Sequence, residues 1–202
     1  MTDYIYQIMF GEGSVGYGFV AEGYFITDAH VIEDFSPCFV YIDGKWIELS
    51  KETPIFIGSG RQTNADDIDL AVYKFETLHD GLQISEDTPK ITDILESCCV
   101  KEVQNKNIVE LNVEPAYPLG EEQGNYFFCK CKRYKGSSGS PLLKDKKVIG
   151  VMNAGEIVKT LSDNGNFSEE EKEKHGLKDD DIICSFLKIS VFKALIDKIE
   201  NK

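Results

Sequence analysis

Short aromatic and β-branched runs, separated by glycine-bearing turns, follow one another through the first half of the chain and restrict it to an antiparallel all-β fold. Ile5 to Phe10, Tyr17 to Ala21 and Tyr24 to Thr27 are three such runs, divided by Gly11-Glu12-Gly13 and Glu22-Gly23. Cys38 to Ile42 and Lys45 to Leu49 flank Asp43-Gly44, a hairpin signal because both turn positions tolerate positive φ. Leu70 to Phe75 adds a compact apolar strand. Strands this closely spaced leave no room for helical crossovers. That excludes alternating β and α units and points to barrels.

Residues 76–92 are polar and rich in turn formers, and they read as the connector between two lobes. Beyond them lie further strands: Ser97 to Val103, Ile108 to Val113, Tyr126 to Cys131, Pro141 to Leu143 and Val148 to Asn153. Lys144-Asp145-Lys146-Lys147 forms the turn between the last two. Residues 156–181 differ in character. Ser168 before Glu169-Glu170-Glu171 reads as a helix N-cap with an acidic first turn, and Asp179-Asp180-Asp181 closes an acidic, exposed insertion. Cys184 to Ile189 reads as a last strand. Ser190 is expected to cap a terminal helix with Val191, Ala194, Leu195 and Ile199 on one face. A chain of 202 residues accommodates one sizeable domain or two small lobes sharing a cleft.

Acidic residues outnumber basic ones by 35 to 22, a net charge of −13. Such a field repels phosphates and anionic lipid, and no local basic patch offsets it, so neither nucleic acid nor membrane is an expected partner. The acidic insertion offers a contact surface to a partner protein. The first ten residues carry no basic stretch before their apolar residues and read as a strand, not a signal peptide, which implies a cytoplasmic protein. The six cysteines are Cys38, Cys98, Cys99, Cys129, Cys131 and Cys184, expected as reduced thiols packed like small apolar residues. Cys98-Cys99 with Cys129 and Cys131 hold four thiols in two close pairs. However, adjacent strand residues face opposite ways and no Cys-x-x-Cys is present, so a zinc site is not expected.

Three motifs carry chemistry: Thr27-Asp28-Ala29-His30, Asp67-Ile68-Asp69-Leu70-Ala71-Val72 and Gly136-Ser137-Ser138-Gly139-Ser140-Pro141. A serine hydroxyl is a poor nucleophile until a base takes its proton. The base in turn needs a carboxylate to fix its tautomer and stabilise the imidazolium. In the order His, Asp, Ser, the motifs resemble those of trypsin-like serine peptidases of the chymotrypsin fold. The strand–serine–helix ending is similar to the peptidase domain of the high-temperature-requirement family and to bacterial glutamyl endopeptidases. The likeness runs from about Gly16 to the C-terminus and is weak between Phe75 and Tyr126.

The resemblance implies a single peptidase domain over residues 1–202: two six-stranded antiparallel β-barrels of the trypsin type, with a C-terminal helix. Residues 1–80 would build the first barrel and 93–202 the second, interrupted by the insertion at 156–181. It implies His30 as base, Asp69 as its partner and Ser138 as nucleophile, with the N–H groups of Gly136 and Ser138 as oxyanion hole. No cofactor is implied. Asp66 and Asp67 compete with Asp69, which is favoured because it adjoins the apolar strand. His79 in the connector and His175 in the insertion are weaker bases. Asp28 stands where the family has a small or amide residue, placing an extra carboxylate near the imidazole. Ser137 stands where many animal relatives carry an aspartate that pairs with a newly released N-terminus, so that route of activation is not expected.

The same resemblance assigns Lys132, Arg133, Met152, Asn153, Ala154 and Gly155 to the pocket for the residue before the scissile bond. Asn153 to Gly155 would pair with extended substrate as an added strand. Two expectations stand side by side. Lys132 or Arg133 faces an acidic substrate side chain, or both point to solvent and Met152 and Ala154 form a neutral pocket. The implied activity is endoproteolysis of polypeptides through an acyl-enzyme. The alternatives are a peptidase-fold module that holds a peptide or partner, and a regulated effector domain, each with little or no proteolysis.

Overall fold

A computed structural model describes residues 2–60, 66–76, 78–101, 110–132 and 136–201. Strands β1 (Ile5–Phe10), β2 (Gly13–Ala21), β3 (Tyr24–Thr27), β4 (Phe39–Ile42), β5 (Lys45–Glu48), β6 (Phe56–Ile57) and β7 (Ala71–Tyr73) form one sheet. Its order is β5-β4-β1-β2-β3-β7-β6. Strands β8 (Leu95–Lys101), β9 (Glu110–Gln123), β10 (Tyr126–Cys131), β11 (Pro141–Lys144), β12 (Lys147–Ile157) and β13 (Ile182–Lys188) close a barrel in the order β10-β13-β12-β11-β8-β9. The named strand pairings are all antiparallel. The fold is thus all-β, and the second lobe is the expected six-stranded barrel. The first lobe differs in detail. Among the described residues it is a seven-stranded, barrel-like sheet that stays open between β5 and β6. An edge strand of two residues, β6, offers too few ladder bonds to close it.

Alternation along the strands divides the apolar residues among separate cores. Ile8, Phe25, Val40, Ile42 and Tyr73 fill the concave side of the first sheet. Leu95, Phe127, Leu142, Met152 and Phe186 fill the barrel. Phe19, Ile26, Leu70 and Val72 of the first lobe pack with Tyr126, Val151 and Leu187 of the second. Each such fully buried side chain contributes about 1.5–3 kcal/mol, so the cleft between the lobes rests on a dry, continuous floor. The connector belongs to that floor more than its polarity suggests. Leu82 is buried in it, Gly81 and Leu82 bridge to Ala21, and Ile84 bridges to Val148.

Three elements depart from the sequence reading. Strand β9 runs on past Val113 to Gln123 through Pro115 and Pro118, residues that lack the N–H a central strand needs. It tolerates them because it changes partner there, pairing with β8 up to Ala116 and with β10 from Ala116 onward. The expected strand ends at Val103 and Ile108 lie outside the described residues. The terminal helix α4 (Ile189–Glu200) starts before Ser190, with Lys188 in the cap position and no side-chain cap. Its buried face is Ile189, Phe192 and Ile196, with Val191 and Leu195 at the margin, while Ala194 and Ile199 are exposed. Strand β13 feeds directly into the helix, so the inward direction of Leu187 sets which helical face continues into the core.

The acidic segment is also more than a solvated loop. It forms α2 (Val158–Asp163) and α3 (Glu169–His175), the latter opened by a reciprocal capping box between Ser168 and Glu171. Val158, Leu161, Phe167 and Leu177 pack against Leu119, Phe128 and Ile183 on the outside of the barrel. Among the described residues no helix is long and apolar enough to cross a membrane. Cys38, Cys98, Cys129, Cys131 and Cys184 are buried, and burial pushes the Cys38 thiol up to about 11.

Phe192 meets the Tyr24 ring edge-on at 5.7 Å and is fully buried, whereas Ile199 is exposed. Phe192→Ala should therefore destabilise the fold by about 3–5 kcal/mol in urea titrations. Ile199→Ala should stay within about 0.5 kcal/mol. Equal losses would place the buried helical face wrongly.

Candidate active site

The pairing of β3 with β7 brings His30 and Asp69 together. Thr27 lies opposite Ala71; His30 follows Thr27 and Asp69 precedes Ala71 in an antiparallel ladder, so both emerge at one end of the sheet. Asp28 stays extended, and helix α1 (Ala29–Asp34) begins at once, placing His30 in its first turn. His30 is gripped at two points. Its backbone N–H donates to Asp69 Oδ1 at 3.0 Å, and its Nδ1 lies 2.6 Å from Asp69 Oδ2. An ionised carboxylate there keeps a proton on Nδ1 and leaves Nε2 as the acceptor. Asp69 is buried, and its own N–H donates to the Tyr126 hydroxyl at 3.3 Å. Burial pushes the Tyr126 phenol up to about 12. Asp66 is exposed and Asp67 half-buried, whereas Asp69 is buried against His30.

A second carboxylate faces the same ring. Asp28 is fully buried, with Oδ2 3.7 Å from His30 Nδ1. Its Oδ1 accepts from Asn153 Nδ2 at 2.8 Å, and the same amide donates to the Asp69 carbonyl at 2.9 Å. Asn153 reaches them from a β-bulge: Met152 pairs with Phe186 and Ala154 with Ser185, leaving Asn153 as the extra residue. A bulge re-aims a side chain at the cost of a ladder bond. Here Asn153 Oδ1 accepts the Leu187 N–H at 3.1 Å and makes that bond good.

The Ser138 loop docks between the lobes. Tyr17 N–H donates to Ser138 O at 2.7 Å, Gly139 N–H to Met152 O at 2.8 Å, and Met152 N–H to Ser140 O at 2.9 Å. Gly136 and Gly139 take φ of +84° and +80°, and a Cβ on Gly139 would lie 2.0 Å from Tyr17 O. Only glycine fits there. The Ser138 hydroxyl donates to Asn153 O at 3.5 Å, and no described hydrogen bond joins it to His30.

The remaining residues read as substrate-binding are dispersed. Met152 is buried in the barrel interior with Cys131, Cys184 and Phe186. Ala154 is exposed and Gly155 half-buried on β12. Lys132 is exposed, its Nζ 3.4 Å from Glu114 Oε2. Arg133 lies outside the described residues, as do Tyr134 and Lys135. Among the described residues the one cluster of three metal-capable side chains is Asp28, His30 and Asp69, and an ion there would have to displace the His30–Asp69 contact.

No family model and no curated protein matches this chain. Solved structures do. The Rv3671c protease of M. tuberculosis, in its active form, is similar with a TM-score of 0.61 at 16% identity, over 98% of this chain and 81% of that one. A human pathogenic astrovirus serine protease is similar with a TM-score of 0.55 at 17% identity, over 94% and 91%. A scabies mite inactivated protease paralogue is similar with a TM-score of 0.61 at 15% identity, over 100% and 96%. The chain has the chymotrypsin fold.

Within this chymotrypsin fold, the Asn153 bridge is the feature that the sequence reading missed, having placed Asn153 only along the substrate. One signal was present: an amide inside the apolar strand Val151-Met152-Asn153-Ala154 must find partners once buried. Asp28 places a second carboxylate beside the imidazole, and its Oδ1 anchors the Asn153 amide.

Proposed function

We propose that the protein is a serine endopeptidase in which Ser138 is the nucleophile, His30 the base and Asp69 the carboxylate that orients it. The observation that carries this reading is the double grip of Asp69 on His30, through its backbone N–H and its Nδ1. In the proposed reaction Ser138 Oγ attacks the scissile carbonyl carbon and its proton passes to His30 Nε2. The N–H groups of Gly136 and Ser138 receive the oxyanion. His30 then returns the proton to the departing amine nitrogen, and water, deprotonated by the same base, releases the acyl group. Residues 1–80 and 93–202 act as the two lobes of one domain. Extended substrate is read along β12: β11 ends at Pro141 opposite Val151, so the edge beyond Met152 is where an added strand would lie. Lys132 is drawn toward Glu114, and Met152 lies in a packed interior, which favours a shallow neutral pocket over recognition of an acidic side chain.

A second reading, a module that binds peptides without cutting them, is favoured by one observation. The Ser138 hydroxyl rests on Asn153 O, not on His30. Catalytic hydrogen bonds often tighten only when substrate arrives, so this geometry does not by itself decide for the module.

Wild-type protein should be labelled covalently by diisopropyl fluorophosphate, and Ser138→Ala should abolish labelling while leaving the thermal melt essentially unchanged. Undiminished labelling of the mutant would sink the nucleophile assignment, and an unlabelled wild type would favour the binding module. Asp69→Asn should lower turnover about 10⁴-fold because the amide favours the wrong tautomer, whereas Asp67→Asn should cost little. Equal or reversed losses would identify the wrong carboxylate.

A further inference from the structure

A cavity lies between the acidic insertion and the outside of the barrel, beside the stretch of β12 that follows Asn153. Its volume is about 740 Å³, and Ala154 and Gly155 form part of its wall. These two residues directly follow Asn153, whose carbonyl accepts the Ser138 hydroxyl. A strand advances about 3.3 Å per residue, so Gly155 stands roughly 7 Å from that carbonyl along β12. A peptide laid antiparallel on this edge, with its scissile bond at Ser138, passes the cavity with its third and fourth residues before that bond.

The lining has two chemical faces. Phe128 and Ile183 of the barrel and Leu161 and Phe167 of the insertion supply an apolar floor. Glu122, Glu156 and Glu171 supply charge, and among the described residues no lysine or arginine lines the cavity to oppose them. Two of these carboxylates have other duties: Glu122 pairs with Lys188 at 2.6 Å, and Glu171 caps Ser168. Among the described residues Glu156, exposed beside Gly155, accepts a hydrogen bond only from the neighbouring Ile157 N–H, at 3.0 Å. An aliphatic stem ending in a cation fits such a site, with the stem over the aromatic floor and the head at the carboxylates.

Resting on the peptidase reading, we propose that this cavity is a specificity subsite for lysine or arginine at the third or fourth residue before the scissile bond. The acidic insertion thereby selects substrate. It need not serve as a surface for a regulatory partner.

The test is a peptide library digested by the wild type and sequenced by mass spectrometry, with products aligned on the cleavage site. Lys and Arg should exceed Glu about tenfold at the third or fourth upstream position, as a charge-assisted hydrogen bond allows. Glu156→Gln, an exposed isosteric change, should erase most of that ratio, and Phe167→Ala should reduce it further. Cleavage without basic enrichment, or enrichment untouched by both variants, overturns the subsite and leaves the peptidase reading standing. If neither cleavage nor fluorophosphonate labelling occurs, the peptidase reading has failed and the cavity is judged by binding. Fluorescent octapeptides differing only in Arg or Glu are then titrated into Ser138→Ala and Ser138→Ala/Glu156→Gln by anisotropy. A preference for Arg that Glu156→Gln removes supports the subsite, and equal affinities overturn it.

Discussion

The Asn153 amide holds the two lobes in the one arrangement that gives the site meaning. Its nitrogen donates to Asp28 and to the Asp69 carbonyl in the first lobe, and its oxygen accepts from Leu187 in the second. Asp28 and Asp69 are almost wholly removed from water. Burying a carboxylate costs several kcal/mol per ion unless hydrogen bonds replace its hydration. His30, Asn153 and Tyr126 supply bonds around these two residues, and they come from both lobes. Asn153 and Tyr126 of the second lobe bond Asp28 and Asp69 of the first in one geometry, so the polar cluster fixes the relative position of the lobes that the interlobe apolar core holds together.

The Ser138 loop is tied into the same junction from the other side. Thr27 donates its hydroxyl to Tyr17 O at 2.7 Å, and the Tyr17 N–H donates to Ser138 O. Gly139 slips under that same Tyr17 carbonyl, where any side chain would collide. His30 and Ser138 are therefore both positioned from one short stretch of the first lobe: the β2–β3 pair carries Tyr17 and leads into Asp28 and His30. This gives the loop a rigid seat without a disulfide. Free thiols such as Cys129 and Cys184 fill the barrel as small apolar residues instead.

What the sequence made legible was local. Alternating strands, the Asp43-Gly44 hairpin and the Ser168 cap are decided by neighbours a few residues apart, and they stand in the structure as their chemistry dictates. The burial of Asp69 is local in the same way: a carboxylate abutting an apolar strand is drawn inward with it, while Asp66 stays exposed. The readings that failed depended on partners distant in sequence. The strand expected to end at Val113 runs on to Gln123, because it changes partner at Ala116. The face of α4 was shifted because β13 sets its direction. Asp28 and Asn153 lie 125 positions apart, and no spacing rule connects them. Packing of Leu161 and Phe167 on the barrel was hidden by the charge of the segment that bears them.

Asn153 also links the resting state to any working one. Its carbonyl holds the Ser138 hydroxyl through a bond of 3.5 Å, at the long limit for an O–H donor. Such a bond is worth at most about 1 kcal/mol net, while a hydroxyl rotor moves among staggered wells of similar energy. The resting position is therefore a shallow trap, not a lock. In the proposed peptidase, substrate adding to the edge of β12 would compete at the residue where the hydroxyl now rests and free it to turn toward the His30 imidazole. The side chain of Asn153 ties the two lobes together, while its carbonyl holds the Ser138 hydroxyl only weakly.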